Sequence, residues 1–352
     1  MDIEFHYYIT YLIAARAGFK PAEAEIIAYA SQHIDDNDLI YEINQDTAEY
    51  YSNYVSQTIN ILKTKRVLLR IYPIFHFIPG DPFIDSVRRW DGKLHYLNTT
   101  PDSENAQAVL HTALESNNLY RIGLACHSFS DSWAHKNFTG YFDQFNSMKT
   151  PFKKLGHVAA LGKPDRVALK WHDSRLVSSL QSIDNRQKFL QAATRLFEEF
   201  QKHLFTDKAL KDIQTEADLM AEDLNWAIGD EDARNKNTRV RLARYKELAK
   251  KNEYGGCELA DYDLFTWMDE AIKENIRGFR IRSKRVVTRF IKGYLSKAIP
   301  RLQDRYTWKD PLKYKQSHWY QFQEAVKAQQ KSTSQILEKA TLWKLELDPK
   351  SW

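Results

Sequence analysis

Ile122-Gly-Leu-Ala-Cys-His127-Ser-Phe-Ser-Asp131-Ser-Trp-Ala-His135 is the stretch on which the reading of this chain turns. His127, Asp131 and His135 recur every four residues. At about 100° per residue, that spacing stacks three side chains along one side of a helix. Imidazole nitrogens and a carboxylate arranged in this way can converge on a divalent cation. The plainer reading is a wet helix face, because Ile122, Cys126, Phe129 and Trp133 form an apolar stripe on the other side. Against it, Asp131 is the only permanently charged side chain between Ile122 and His135, and the same face continues backward into Leu124 and Tyr120. A buried carboxylate among imidazoles needs a counter-charge, which a metal supplies.

The chain has 352 residues, enough for a sizeable core, with 43% hydrophobic and 28% charged residues. That balance belongs to a globular protein. Only 12 Gly and 10 Pro interrupt it, so helices are favoured over strands. A net charge of +5 does not by itself imply a nucleic-acid partner. Cys126 and Cys257 make no disulfide framework, and a reducing compartment follows as the default. The N-terminus lacks a basic leader, and its apolar run from Tyr7 to Ala15 is too short to span a bilayer. The expectation is a cytoplasmic protein without a signal peptide or transmembrane segment, export by a signal-independent route staying open.

Outward from the ladder, residues 3–17 read as a buried helix carrying His6. A second helix starts at Pro21, a residue suited to the first helical position, and ends near His33. It runs into the acidic loop Asp35-Asp36. Alternation between Tyr50 and Tyr72 suggests a short hairpin or extended excursion. His76 follows inside the apolar run Ile74–Ile78. Thr100-Pro101-Asp102 reads as a helix start, and the ladder helix should span 118–137. Gly156 before His157 and Pro164 before Asp165 suggest backbone shaped to present those two side chains. Each His or Asp, taken singly, also fits a hydrogen-bonded core residue or a surface turn.

Beyond residue 176 the pattern becomes long helices at 183–206, 208–227, 236–252, 259–282, 284–300 and 315–340. The expected organisation is a metal-binding helical core over 1–175 with a helical extension over 176–352 packed on it. Within the extension lies a basic region at 277–301, including Arg277, Arg280, Arg282, Lys284, Arg285 and Arg289. It reads either as the cationic outer face of a core helix or as a contact for anionic lipid or nucleic acid.

His6, Asp35 or Asp36, His76, His127, Asp131, His135, His157 and Asp165 all precede residue 176. Their order resembles the zinc-dependent phospholipase C and single-strand nuclease superfamily, all-helical enzymes that cleave phosphoesters at clustered zinc ions. The segments Phe5-His6-Tyr-Tyr with Ala17-Gly18-Phe19, Ala30-Ser-Gln-His-Ile-Asp35-Asp36, Phe75-His-Phe, the ladder, Gly156-His157 and Pro164-Asp165 resemble more closely a bacterial family without an assigned activity, itself distantly similar to that superfamily. Over residues 1–175 the resemblance implies an all-α fold. It also implies His6, Asp36, His76, His127, Asp131 and His157 as ligands of one to three zinc ions, with Asp165 a further candidate ligand. His135 lies where the superfamily has no ligand; it is either a ligand or an outer, substrate-facing residue. Three departures are visible: the enzymes use the amino group of an N-terminal Trp where this chain begins Met1-Asp2, position 161 is Leu where they carry an acid, and they are exported whereas no signal peptide is read here.

The resemblance implies metal-assisted hydrolysis of a phosphoester, with Asp35 or Asp165 as general base toward water. A non-catalytic, metal-stabilised helical protein that binds through its basic helices is the alternative.

Overall fold

The computed structural model describes residues 1–58, 68–140, 142–148, 160–275 and 305–339. His157 and the basic residues Arg277, Arg280, Arg282, Lys284, Arg285 and Arg289 lie outside these residues, as does the 284–300 helix. The chain is mostly helical. A π-helical run, Glu4–Ile9, leads into α1 (Thr10–Ala17), and α2 (Pro21–Asp36), α3 (Tyr72–Phe75), α4 (Glu104–Glu115) and α5 (Leu119–Ala134) follow. Beyond them come α6 (Asn185–Leu204), α7 (Leu210–Ile228), α8 (Thr238–Ala249), α9 (Thr266–Ala271) and α10 (His318–Leu337).

The all-α expectation needs one correction. A small mixed sheet joins β1 (Glu42–Ile43), β2 (Tyr51–Ser52), β5 (Ile272–Asn275) and β6 (Arg305–Trp308) in the order β2-β1-β6-β5. A separate antiparallel pair is β3 (Lys170–His172) with β4 (Ser182–Asp184). Among the described residues, the helix expected over 259–282 is present as α9, followed by β5. Pairing of Ile272 with Trp308, both buried, overrides the weak local helical preference of Ile272–Asn275. The helix start expected at Thr100 falls instead at Ser103, whose hydroxyl caps Ala106 N–H at 3.2 Å.

The ladder helix α5 is the axle of the core. Asn118 caps its first turn by accepting from Arg121 N–H at 3.0 Å. Every residue from Ile122 to Ala134 is buried, so the ladder is no solvated face. Gly123 sets how closely α2 can lie on α5: a Cβ there would stand 2.4 Å from the Ile27 carbonyl oxygen and 2.7 Å from the Ala30 Cβ. This crossing brings the last turns of α2 alongside the ladder. Helices from both sides of residue 175 share the core, since Phe189, Leu196, Phe200, Leu224 and Phe322 are buried in one cluster with Phe5, Ile27 and Phe129. Among the described residues no helix is long and apolar enough to cross a membrane.

A buried ion-pair network fixes the first turns. Arg241 on α8 is fully buried and holds Glu4 through two bonds of 2.7 and 2.8 Å and Asp232 through one of 2.9 Å. Tyr245 adds a hydroxyl bond to Glu4 at 3.2 Å. Glu4 lies two residues before His6, so this clamp positions the first candidate ligand.

Candidate metal centre

Three imidazoles of the cluster, those of His76, His127 and His135, are each oriented by a backbone carbonyl. His127 Nδ1–H donates to Ser31 O at 2.8 Å, His76 Nε2–H to Ser56 O at 2.9 Å, and His135 Nδ1–H to His76 O at 2.9 Å. A carbonyl oxygen can only accept, so each of those nitrogens must carry the hydrogen. The opposite nitrogen of each neutral ring is then a bare lone pair. His127 Nε2 and His76 Nδ1 face one another at 3.0 Å, and His135 Nε2 faces Asp165 Oδ1 at 3.2 Å. Two facing lone pairs repel unless a proton or a cation sits between them. Fixing the tautomer through the far nitrogen is how proteins commonly hold metal-binding histidines.

His6 completes the argument. Its ring stacks on His127 with centroids 3.8 Å apart, and neither of its buried nitrogens makes a hydrogen bond among the described residues. Its Nε2 stands 3.2 Å from Asp131 Oδ1 without hydrogen-bond geometry. A fully buried imidazole with no partner costs free energy, and a cation would satisfy it.

Among the described residues, two groups have donor atoms close enough to share an ion: His6, His127 and Asp131, and Asp35, His76 and His127, all within 4.8 Å of each other in each group. His127 belongs to both. Asp131 adjoins the second as well, 3.7 Å from His76 Nδ1. Nitrogen and carboxylate donors in threes suit zinc and other divalent first-row metals.

The electrostatics have the same origin. Burial opposes the charge on Asp131, but the surrounding His135, α-amino group, His127 and His6 outweigh it and hold its pKa well below the usual carboxylate range. Burial also opposes a proton on His127, yet Asp131 and Asp35 outweigh it and raise its pKa. Burial wins at His6 and His76, whose pKa values fall. Met1 contributes its α-amino group, which contacts Asp131 Oδ1 and lies 3.5 Å from Asp165. Burial disfavours that ammonium, and the two carboxylates raise it to about 10 nonetheless.

The structure brings His6, Asp35, His76, His127, Asp131, His135 and Asp165 together and leaves Asp36 out. α2 runs one turn further than the periodicity suggests, so Asp35 and Asp36 are consecutive helical residues that point about 100° apart. Asp35 turns toward His76 and His127, at 3.7 and 3.8 Å, while Asp36 accepts from the Tyr262 hydroxyl at 2.9 Å. Of the two, it is Asp35 and not Asp36 whose carboxylate stands beside the histidines. His135 stands at the margin, its ring stacked on Phe77 with centroids 4.2 Å apart. Asp35 and Asp165 are the partly exposed members, at 31% and 17%, and mark the sides on which water reaches the cluster.

Lys188 was not singled out by sequence. It is buried on α6 and donates to the Ala134 carbonyl at 3.2 Å, beside the end of the ladder. Burial, with Lys136 nearby, pushes its pKa down to about 7. The unfolded lysine keeps its proton up to about pH 10.5, so between pH 7 and 10 the unfolded state binds more protons and stability rises with pH. Lys188→Met is therefore expected to be more stable than wild type at pH 7 in urea denaturation. The margin should shrink as pH rises toward 10; a constant margin would contradict it.

Fold and site together define a mostly helical protein with a buried His/Asp cluster of metal-binding geometry. The chain belongs to the family of unknown function DUF6765, whose model matches residues 1–337. No curated protein matches the chain, and no solved structure does.

Proposed function

We propose that the protein is a metal-dependent hydrolase of phosphoesters, resembling the zinc-dependent phospholipase C and nuclease superfamily, with zinc as the preferred ion. The single observation that carries this reading is the pair His127 and His76, whose ring hydrogens are committed to carbonyls, leaving their lone pairs facing each other beside the carboxylates of Asp131 and Asp35. A bound cation would polarise a phosphoryl oxygen and acidify a coordinated water. His6, His127 and Asp131 would hold one ion; Asp35 and His76 with His127 form the alternative set, because the one free lone pair of His127 serves a single ion at a time. Asp165, partly exposed and 3.2 Å from His135 Nε2, would take a proton from water and pass it to that imidazole. Asp35 could serve as base only where it is not fully used as a ligand.

A second reading has its own support. The cluster ties the first helix, α2, the residues around His76, α5 and Asp165 together, so an ion there would crosslink the fold without any catalysis.

Metal analysis of protein purified without added metal is expected to give at least one equivalent of a divalent transition ion per chain. That protein should also hydrolyse a chromogenic phosphodiester. Less than one equivalent would sink the enzyme reading. Stoichiometric metal with no turnover on nucleotide, lipid or dye phosphoesters would favour the crosslinking role.

A further inference from the structure

Immediately after His76 and Phe77 the chain leaves the core and returns. Gly80 N–H bonds to Asn98 O at 2.9 Å, and Pro79 bridges Thr99, closing residues 81–97 into an Ω-like excursion. Its backbone is tied down from inside. Val87 and Leu97 are buried. Arg89 is buried too, pairing with Asp91 at 2.9 Å and donating to Phe145 O at 3.0 Å. Residues 88–90 lie along 175–177 through the bonds Val177 N–H to Arg88 O and Trp90 N–H to Arg175 O.

What these anchors leave outside is aromatic. Phe83, Trp90, Leu94 and Tyr96 are 67, 69, 56 and 74% exposed. Phe142, 56% exposed, is carried next to them, because its neighbour Asp143 stands 3.8 Å from His95. A loop that is rigid underneath and presents large apolar rings to water invites a covering surface.

The chemistry of the loop identifies that surface. Tryptophan and tyrosine are the side chains that settle at the boundary between headgroups and acyl chains, since each joins an apolar body to a polar tip. The side chains project from a closed loop rather than line a groove. Its charges also cancel: Asp81, Asp85 and Asp91 oppose Arg88, Arg89 and Lys93. Several are paired within the loop, Arg88 with Asp85 and Lys93 with Asp91, both at 3.5 Å. Such a loop has no electrostatic preference for an anionic partner.

We propose that the 81–97 loop, with Phe142 beside it, is a membrane-docking surface that seats its aromatic side chains in the headgroup region of a zwitterionic lipid bilayer. It shares no residue with the basic 277–301 region of the sequence.

The test is flotation with phosphatidylcholine vesicles, at low salt and at about 1 M NaCl, where charges are screened beyond ~3 Å. The wild type is expected to float at both. Trp90→Ala/Tyr96→Ala should lose at least about tenfold in partitioning while keeping the wild-type circular dichroism and thermal midpoint. Trp90→Phe/Tyr96→Phe should retain most of the binding. Failure of the wild type to float would overturn the proposal, as would a double Ala variant that floats equally well. Binding confined to anionic vesicles and abolished by salt would also overturn it, pointing to the basic region instead. So would concentration-dependent self-association that the Ala variant removes, without vesicle binding, which would make the loop a contact between copies. Flotation needs no turnover and can be read at any metal content, so its outcome and that of the metal reading are separable.

Discussion

Asp131→Asn is expected to empty the site. Asp131 is nearly fully buried and its two oxygens lie within 3.7 Å of His6, His76, His127 and His135, which puts it at the centre of the described cluster. Asparagine keeps the shape and removes the charge that balances a cation. Losing even an outer partner of a metal ligand costs 10–100-fold in affinity, and a shared central carboxylate should cost more than about a hundredfold. The readout is stability against chelator. A bound ion at a thousand times its Kd stabilises a fold by about 4 kcal/mol, so EDTA should lower the thermal midpoint of the wild type clearly and that of Asp131→Asn hardly at all. Turnover, where the wild type has it, should vanish in the variant. A wild type indifferent to EDTA, with metal content unchanged by the substitution, would remove the metal centre from consideration.

Arg241→Ala is expected to be the most destabilising single change at a distance from the cluster. The guanidinium is 1% exposed and bonded to two carboxylates. Removing it leaves Glu4 charged in the core, and breaking one side of a buried pair costs about 3–5 kcal/mol. Asp232 suffers less, because it also accepts from the Lys236 and Asn237 amides at 3.0 and 2.7 Å. Replacing both sides, as in Glu4→Gln/Arg241→Met, should recover much of the loss, since the cost lies in the stranded charge. Denaturant unfolding of the three variants tests this; a single-variant loss below about 1 kcal/mol would contradict it. Because Glu4 precedes His6 by one half-turn, Arg241→Ala should also loosen metal retention.

Much of the site was legible in the sequence because its members share an oddity: histidines and isolated aspartates inside apolar runs, where solvated charges are missing. His6, His76, His127, Asp131, His135 and Asp165 were all visible in this way. The choice between Asp35 and Asp36 was not. It depends on α2 continuing through both residues, and the helix end is set by tertiary contacts such as Tyr262 on Asp36 rather than by local preference. The carbonyl partners of the imidazoles and the α-amino group left no trace either, since backbone atoms have no residue code. The sheet escaped for a similar reason. Its pairing joins β1 to β6 across more than 250 residues, at Ile43 and Tyr306, and no window of sequence contains both. Nothing in the sequence sets Arg241 apart from the other basic residues of the 236–252 stretch, and its pairing with Glu4 is what makes it a core residue.

The carbonyl-anchored histidines also bear on the order in which the molecule is made. Ser31, Ser56 and His76 supply oxygens that exist in usable positions only once α2, the stretch before α3 and α5 have met, so the cluster has no local precursor in the unfolded chain. Contacts of such long sequence separation form late and slowly. An ion would therefore enter a nearly finished protein, through the partly open flank between Asp35 and Asp165, rather than nucleate it. Metal loading should follow the acquisition of tertiary structure as a distinct, later kinetic step. It would make the supply of the ion, not the folding of the chain, the event that decides when each newly made molecule matures.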